Sequence, residues 1–253
     1  MPVSSTGHMI LADELVRMNV SEEFMDMFLV VIQLASIIAV AVLFFKKLNP
    51  LSPGKTPAER RQTAMLWVKV LLACVPAAVI GLLFDDILNG LFYNYITVAA
   101  MLILYGVIFI LLETYGRHRI YEVTELGGLT YKNAAVIGMF QLLALIPGTS
   151  RSGATILGAM ILGASRPVAA EFSFFLAVPV MFGASALKLL KFGFDFSGFE
   201  LAVLSAGMIT AFAVSVFAVK FLMNYIKKHD FKAFGYYRIA LGLVVFAYFI
   251  LKK

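Results

Sequence analysis

AAVIGMFQLLALIPGTSRSGATILGAMILGASRPVAA, residues 134–170, is apolar on both flanks and broken in its middle by PGTSRSG. Each flank holds about 12 residues of apolar character, whereas a helix crossing a bilayer core of roughly 30 Å needs about 20. The pattern predicts a re-entrant helical hairpin that enters the membrane and leaves on the same side. Broken backbone at that depth is tolerated only where it is buried in protein or lines a polar cavity. The alternative, one kinked transmembrane helix, would invert everything downstream and put the basic loop at 224–238 outside.

Outward from this stretch, six long apolar segments stand out, at about 24–45, 64–84, 91–115, 172–190, 201–223 and 236–251, and all six are read as transmembrane helices. Of the 253 residues, 61% are hydrophobic and 14% charged, against roughly 45–50% and about 25% in soluble domains. With a mean hydropathy of +0.91, the composition argues against a soluble enzyme, a DNA-binding protein and a disordered chain. The expected fold is an all-α polytopic membrane protein, one integral membrane domain over 1–253, with the bilayer as its first partner.

Loop charge sets the orientation. Lys46, Lys47, Lys55, Arg60 and Arg61 crowd the loop at 46–61; Arg117, Arg119 and Lys132 lie in 116–132; Lys227, Lys228, Lys232 and Arg238 lie in 224–238. The connection after Phe84 carries Asp85 and Asp86 and no base. The three basic loops are therefore assigned to the cytoplasm, and the net charge of +6 reports orientation rather than a nucleic-acid partner. Arg238, Lys252 and Lys253 flank the last segment and are expected to snorkel to the interfaces, as are Lys69 and Lys220. Glu113 reads as another helix-end charge, Cys74 as packing, and Phe172, Phe174 and Phe175 as lipid-facing or packing residues. With no basic n-region ahead of an apolar run, no cleavable signal peptide is expected.

PVSSTGHMIL at 2–11 repeats the broken centre of the hairpin, PGTSRSGATIL at 147–157, as Pro, hydroxyl residue, Ser, Gly and Ile-Leu, with one extra residue in the second copy. Each copy precedes a long apolar helix. With the first turn outside and the second hairpin opening inside, the copies have opposite topology. The expectation is an inverted-topology repeat, about 1–115 and about 134–251, with the first hairpin N-terminally truncated and its broken helices meeting the second near the midplane.

Helix N-termini that begin inside such a site offer unpaired N–H groups and partial positive charge, suited to an anion. The second copy adds the hydroxyls of Thr149, Ser150, Ser152 and Thr155 and the guanidinium of Arg151; the first adds Ser4, Ser5, Thr6 and His8. Arg151 is the most informative, because an arginine at membrane depth costs at least ~2.5–3.5 kcal/mol unless paired or hydrated. A structural salt bridge, for example to Glu171, is the plainer alternative for it, and a hydrogen-bonded structural role is the plainer one for His8.

PVSSTGHMIL, LIPGTSRSGATILGAMILGASRPVAAEFSFFLAVP and the order of helices between them resemble the undecaprenyl pyrophosphate phosphatase family, the bacitracin-resistance phosphatases of bacteria, over essentially the whole chain. The resemblance implies a multi-pass enzyme of the bacterial inner membrane. It would hydrolyse the C55 isoprenyl diphosphate carrier at an active site open to the periplasm, with no nucleic-acid partner and with a homodimer compatible with it. It carries over Ser4, Ser5, Thr6 and His8, and Ser150, Arg151, Ser152 and Thr155. In the resulting scheme Arg151 and the hydroxyls hold the diphosphate while Mg²⁺ or Ca²⁺ bridges its oxygens, and His8 is general base or acid. The nucleophile is left open between Ser5, a water activated by His8, and His8 itself. Family members carry an ExxxE segment ahead of the first motif, so the carboxylates for the cation are expected upstream of Met1, and hydrolysis is expected only with that segment present. Two other readings share parts of this pattern. The type-2 phosphatidic acid phosphatases need a His about six residues after the Arg, and SGATILGAM at 152–160 has none. A lipid-carrier transporter would share the inverted broken-helix repeat.

Overall fold

The computed structural model of the chain describes residues 2–15, 20–92, 94–116 and 120–252. Met1, Lys253, and Arg117, His118 and Arg119 of the second basic loop lie outside them. The helices are α1 (Ser5–Leu15), α2 (Glu22–Leu43), α3 (Phe45–Leu48), α4 (Pro57–Phe92), α5 (Tyr95–Tyr115), α6 (Tyr131–Leu142), α7 (Arg151–Ile161), α8 (Arg166–Phe192), α9 (Gly198–Tyr225) and α10 (Lys232–Leu251).

Among the described residues, α2, the Pro57–Phe84 part of α4, α5, α8, α9 and α10 are long and apolar enough to cross a membrane. These are the six expected spans. Several boundaries differ, α4 starting at Pro57 and α8 at Arg166, and the largest difference is at the end of α4, which runs on past Phe84 through Asp85 and Asp86 to Phe92. Two aspartates lower helix propensity by only tenths of a kcal/mol each, and the stop comes at Asn94, whose side chain accepts from Thr97 N at 2.9 Å to cap α5. The solvent-facing pattern fits lipid, with Leu82, Ile209 and Phe217 each at least 70% exposed while Arg238 and Thr149 are fully buried.

α5 and α10 pack so closely that a Cβ on Gly106 would lie 2.7 Å from the Gly235 carbonyl oxygen and one on Gly235 2.8 Å from that of Gly106. Only glycine permits this approach of two backbones. α2 packs on α8 and α9, and α4 lies along α6. Phe172 and Phe175 are fully buried and Phe174 nearly so, so these rings pack inside the bundle.

α6 and α7 fold back on each other. A Cβ on Gly158 would lie 2.6 Å from the Phe140 ring, and Thr130 and Asn133 form a capping box that opens the first arm. The two ends of the hairpin are tied together: Val123 N donates to Gly163 O at 3.1 Å and Ser165 N to Val123 O at 2.8 Å. Beside that tie, Arg166 grips Glu113 through Nε at 2.8 Å and Nη2 at 2.5 Å, and Phe231 N donates to the same carboxylate at 3.0 Å. Glu113 is thus a buried partner joining α5, α8 and the approach to α10, not a charge reaching an interface. Lys69 likewise does not snorkel; it is buried, with Nζ 3.4 Å from Gly127 O and 5.6 Å from the centre of the Tyr131 ring.

Candidate functional site

Two short helices, α1 and α7, each 11 residues long, begin at the two repeated motifs. Each is preceded by a serine in the left-handed region, Ser4 at φ 64° and Ser150 at φ 71°, the only non-glycine residues with positive φ among the described residues. A non-glycine residue held there costs on the order of 1–3 kcal/mol, a strain that clusters at ligand-binding and catalytic sites. Matching the two serines locates the extra residue of the second copy: Pro2-Val3-Ser4 stands against Pro147-Gly148-Thr149-Ser150. The inserted turn needs Gly148, whose φ is 93° and whose Cβ, if present, would sit 2.6 Å from Val98 O.

The second turn is capped by Ser150, whose Oγ accepts from Gly153 N at 3.3 Å and lies 3.2 Å from Ser152 Oγ. Arg151 opens α7. It is half-buried, and its Nη1 is sealed from solvent without a hydrogen-bond partner. The carboxylate expected as its alternative partner is engaged elsewhere, since Glu171 accepts from Lys47 Nζ at 2.8 Å through both oxygens. Thr149 Oγ1 and Ser4 Oγ are also buried without partners. Unsatisfied polar groups inside a protein are costly and call for an explanation, and hydroxyls and a guanidinium of this kind are suited to anionic oxygens.

In the first turn Ser5 is exposed at the start of α1, Thr6 half-buried beside it, and His8 a turn further on. The imidazole is held at both nitrogens, Nδ1 2.8 Å from Ser4 O and Nε2 2.5 Å from Tyr237 Oη. Ser5 is therefore not hydrogen-bonded to His8 as the structure stands. Thr155, carried over from the motif as a phosphate ligand, is buried; its hydroxyl donates to Arg151 O at 2.9 Å and lies 2.7 Å from Ser173 Oγ. It braces the first turn of α7 against α8.

The residue that joins the two turns is one that loop-charge counting misassigns. Arg238 is not a charge reaching out from the end of α10. It is fully buried, about 9 Å along α10 from Lys232 at 1.5 Å per residue. Its Nη1 donates to Pro2 O at 3.3 Å, and its Nη2 to Gly148 O and Thr149 O at 2.9 Å each and to Met101 O at 3.4 Å. The guanidinium lies 5.5 Å from the centre of the Tyr105 ring. One side chain thus gathers carbonyls of both turns, at the N-terminal ends of α1 and α7. Sequence reading also passed over Tyr237. The available signal was position: if the last helix starts at Lys232, Arg238 falls two turns inside an apolar segment and is no longer a loop charge.

The resemblance implies a divalent cation. Among the described residues no three of His, Cys, Asp and Glu come together as a metal site, and the charged side chains at the turns are the guanidiniums of Arg151 and Arg238. These donors suit an anion and not a cation, so the described residues do not fit the metal, and no step below passes through it.

A family model described as bacitracin resistance protein BacA matches residues 1–244 of the chain. The undecaprenyl-diphosphatase of Acetivibrio thermocellus is 61% identical over 250 residues, 99% of this chain and 92% of that relative. The undecaprenyl-diphosphatase of Desulfitobacterium hafniense is 58% identical over 250 residues, 98% of this chain and 90% of the relative. That of Enterococcus faecalis is 56% identical over 253 residues, 99% and 92%.

Proposed function

The chain belongs to the bacitracin resistance protein BacA family, and from that premise we propose that it is a multi-pass membrane hydrolase converting undecaprenyl diphosphate to undecaprenyl phosphate and inorganic phosphate. This activity would return the lipid carrier to cell-wall synthesis and confer bacitracin resistance. The observation that carries the reading is the suture made by Arg238, which brings Pro2 of the first turn and Gly148 and Thr149 of the second within reach of one guanidinium. Around it lie Arg151 Nη1 without a partner, the serine-capped N-terminus of α7, and His8 on α1.

In this reading Arg151, Ser150, Ser152, Ser4 and Thr6 hold the diphosphate oxygens, and the fixed cation stabilises charge that builds on them in the transition state. His8 takes the proton of the attacking group and returns one to the departing phosphate oxygen. The attacking group is Ser5, exposed at the head of α1, or a water. Thr155 acts from behind by fixing the backbone of Arg151. The doubly charged head and its isoprenoid tail fit a site made of polar turns within an apolar bundle.

The two copies, α1 with its turn and the α6–α7 hairpin, are read as re-entrant elements of an inverted-topology repeat. The tie between Val123 and residues 163–165, which closes the base of the hairpin, and the matching serine conformations support this. The basic loops assign the base of the hairpin to the cytoplasm and the turns to the periplasmic side of a bacterial inner membrane. A divalent cation, Mg²⁺ or Ca²⁺, is expected to accompany the diphosphate. Phosphate release from undecaprenyl diphosphate by the full-length protein in detergent, with no membrane to cross, tests hydrolysis against carrier transport, and the same assay with EDTA tests the cation. Phosphate release is the expected result, and a protein that binds the lipid without releasing phosphate overturns the reading; loss of release in EDTA would assign the cation to groups other than the described residues.

A further inference from the structure

Nδ1 of His8 faces a backbone carbonyl, Ser4 O, at 2.8 Å. A carbonyl only accepts, so Nδ1 carries the hydrogen, and in the neutral ring Nε2 presents a lone pair. The 2.5 Å contact at Nε2 is then a hydrogen bond donated by the Tyr237 hydroxyl. The two rings are also stacked, 5.7 Å between centroids and 13° between planes. The imidazole is thus fixed from two elements, the strained Ser4 turn on one side and α10 on the other. Tyr237 directly precedes Arg238, so the segment of α10 that gathers the two turns also holds the ring. Unlike Arg238, Tyr237 is 46% exposed, so its ring is not needed to fill the core.

We propose that Tyr237 is a positioning residue for His8. Its hydroxyl holds the basic nitrogen in line with the site and yields that place when an oxygen of the attacking group arrives. The inference rests on the reading of His8 as the base. With Tyr237 absent, Ser4 O still sets the tautomer, but the ring is free to turn about the Nδ1 bond, and a displacement of about 1 Å in a catalytic group costs on the order of a hundredfold. With the phenol acting on the imidazole and not on the substrate, the loss falls on the chemical step and not on binding.

The test uses the full-length protein in detergent with undecaprenyl diphosphate as substrate. Tyr237→Phe is expected to lower kcat about ten- to hundredfold with KM within about twofold and an unchanged melting temperature. In protein labelled with ¹⁵N-histidine, at a pH where the ring is neutral, His8 is expected as the Nδ1–H tautomer. Its Nε2 resonance should move from that of a hydrogen-bonded acceptor to that of a free one in Tyr237→Phe. Adding Tyr237→Phe to His8→Ala should cause no further loss. Wild-type kcat in Tyr237→Phe alongside an inactive His8→Ala overturns the inference and leaves the base reading standing; near-normal turnover in His8→Ala overturns the base reading itself. Equal losses from Tyr237→Phe with and without His8 also overturn the inference. Should the variant not fold, an Nε2–H tautomer for His8 in the unmodified protein decides against it.

Discussion

Ser4 and Ser150 adopt nearly the same φ, 64° and 71°, ahead of helices of equal length, yet the residues that follow them diverge. At the first helical position stands Ser5 in one copy and Arg151 in the other; at the fourth, His8 in one and Ala154 in the other. Both turns share one backbone feature, a serine at positive φ directly ahead of the first helical residue. In the proposed reading the side chains divide the chemistry: the first turn would bring a base and an exposed hydroxyl, the second a fixed cation whose backbone is braced by Thr155 and Ser173. A shared scaffold therefore does not imply shared roles, and substitutions at matched positions should differ in kind as well as size.

The largest effect is expected at the cation. Arg151→Ala should lower kcat for phosphate release by about 10³-fold or more, with unfolding in detergent little changed; retention of a tenth of the activity would remove the second turn's assigned role. His8→Ala should cost about 10²–10⁴-fold, and a loss seen in KM alone would mean that the first turn binds and does not transfer protons. Gly148→Ala probes the inserted residue that distinguishes the second turn. A Cβ at φ 93° and 2.6 Å from Val98 O should destabilise by about 2–4 kcal/mol, seen as a lowered Tm, and reduce kcat about tenfold or more through displacement of the turn. The smallest change is expected from Thr155→Val. Losing the bonds to Arg151 O and Ser173 should cost about 1–2 kcal/mol of stability, while turnover stays within about threefold; a loss as large as that of Arg151→Ala would show that this hydroxyl meets substrate after all.

Much of the architecture was legible because hydropathy and length are strong signals in lipid. The six spans, the paired flanks of the hairpin and the serine-bearing turns all follow from apolar runs and their breaks. The misreadings concern charges and share a cause. Arg238, Glu113 and Lys69 were placed by their distance from an assumed helix end, and each is instead buried against partners far away in the chain, as with Arg238 and Pro2 or Glu113 and Arg166. Loop counting treats a charge as a label for one side of the membrane, whereas a buried charge needs specific partners that sequence distance does not reveal. Tyr237 was missed for a related reason, since a tyrosine in an apolar helix gives no sign that its hydroxyl meets an imidazole from the opposite end of the chain.

The suture by Arg238 also bears on how the protein is made. Its partners are separated along the chain by 236 residues at Pro2 and by 90 and 89 at Gly148 and Thr149. During synthesis the first turn emerges long before the side chain that secures it, which arrives only with α10. Contacts of such long range form late, after the loops between them have closed. The two turns are therefore sutured only as α10 takes its place, and a nascent chain arrested before α10 carries both turns without the means to hold them together.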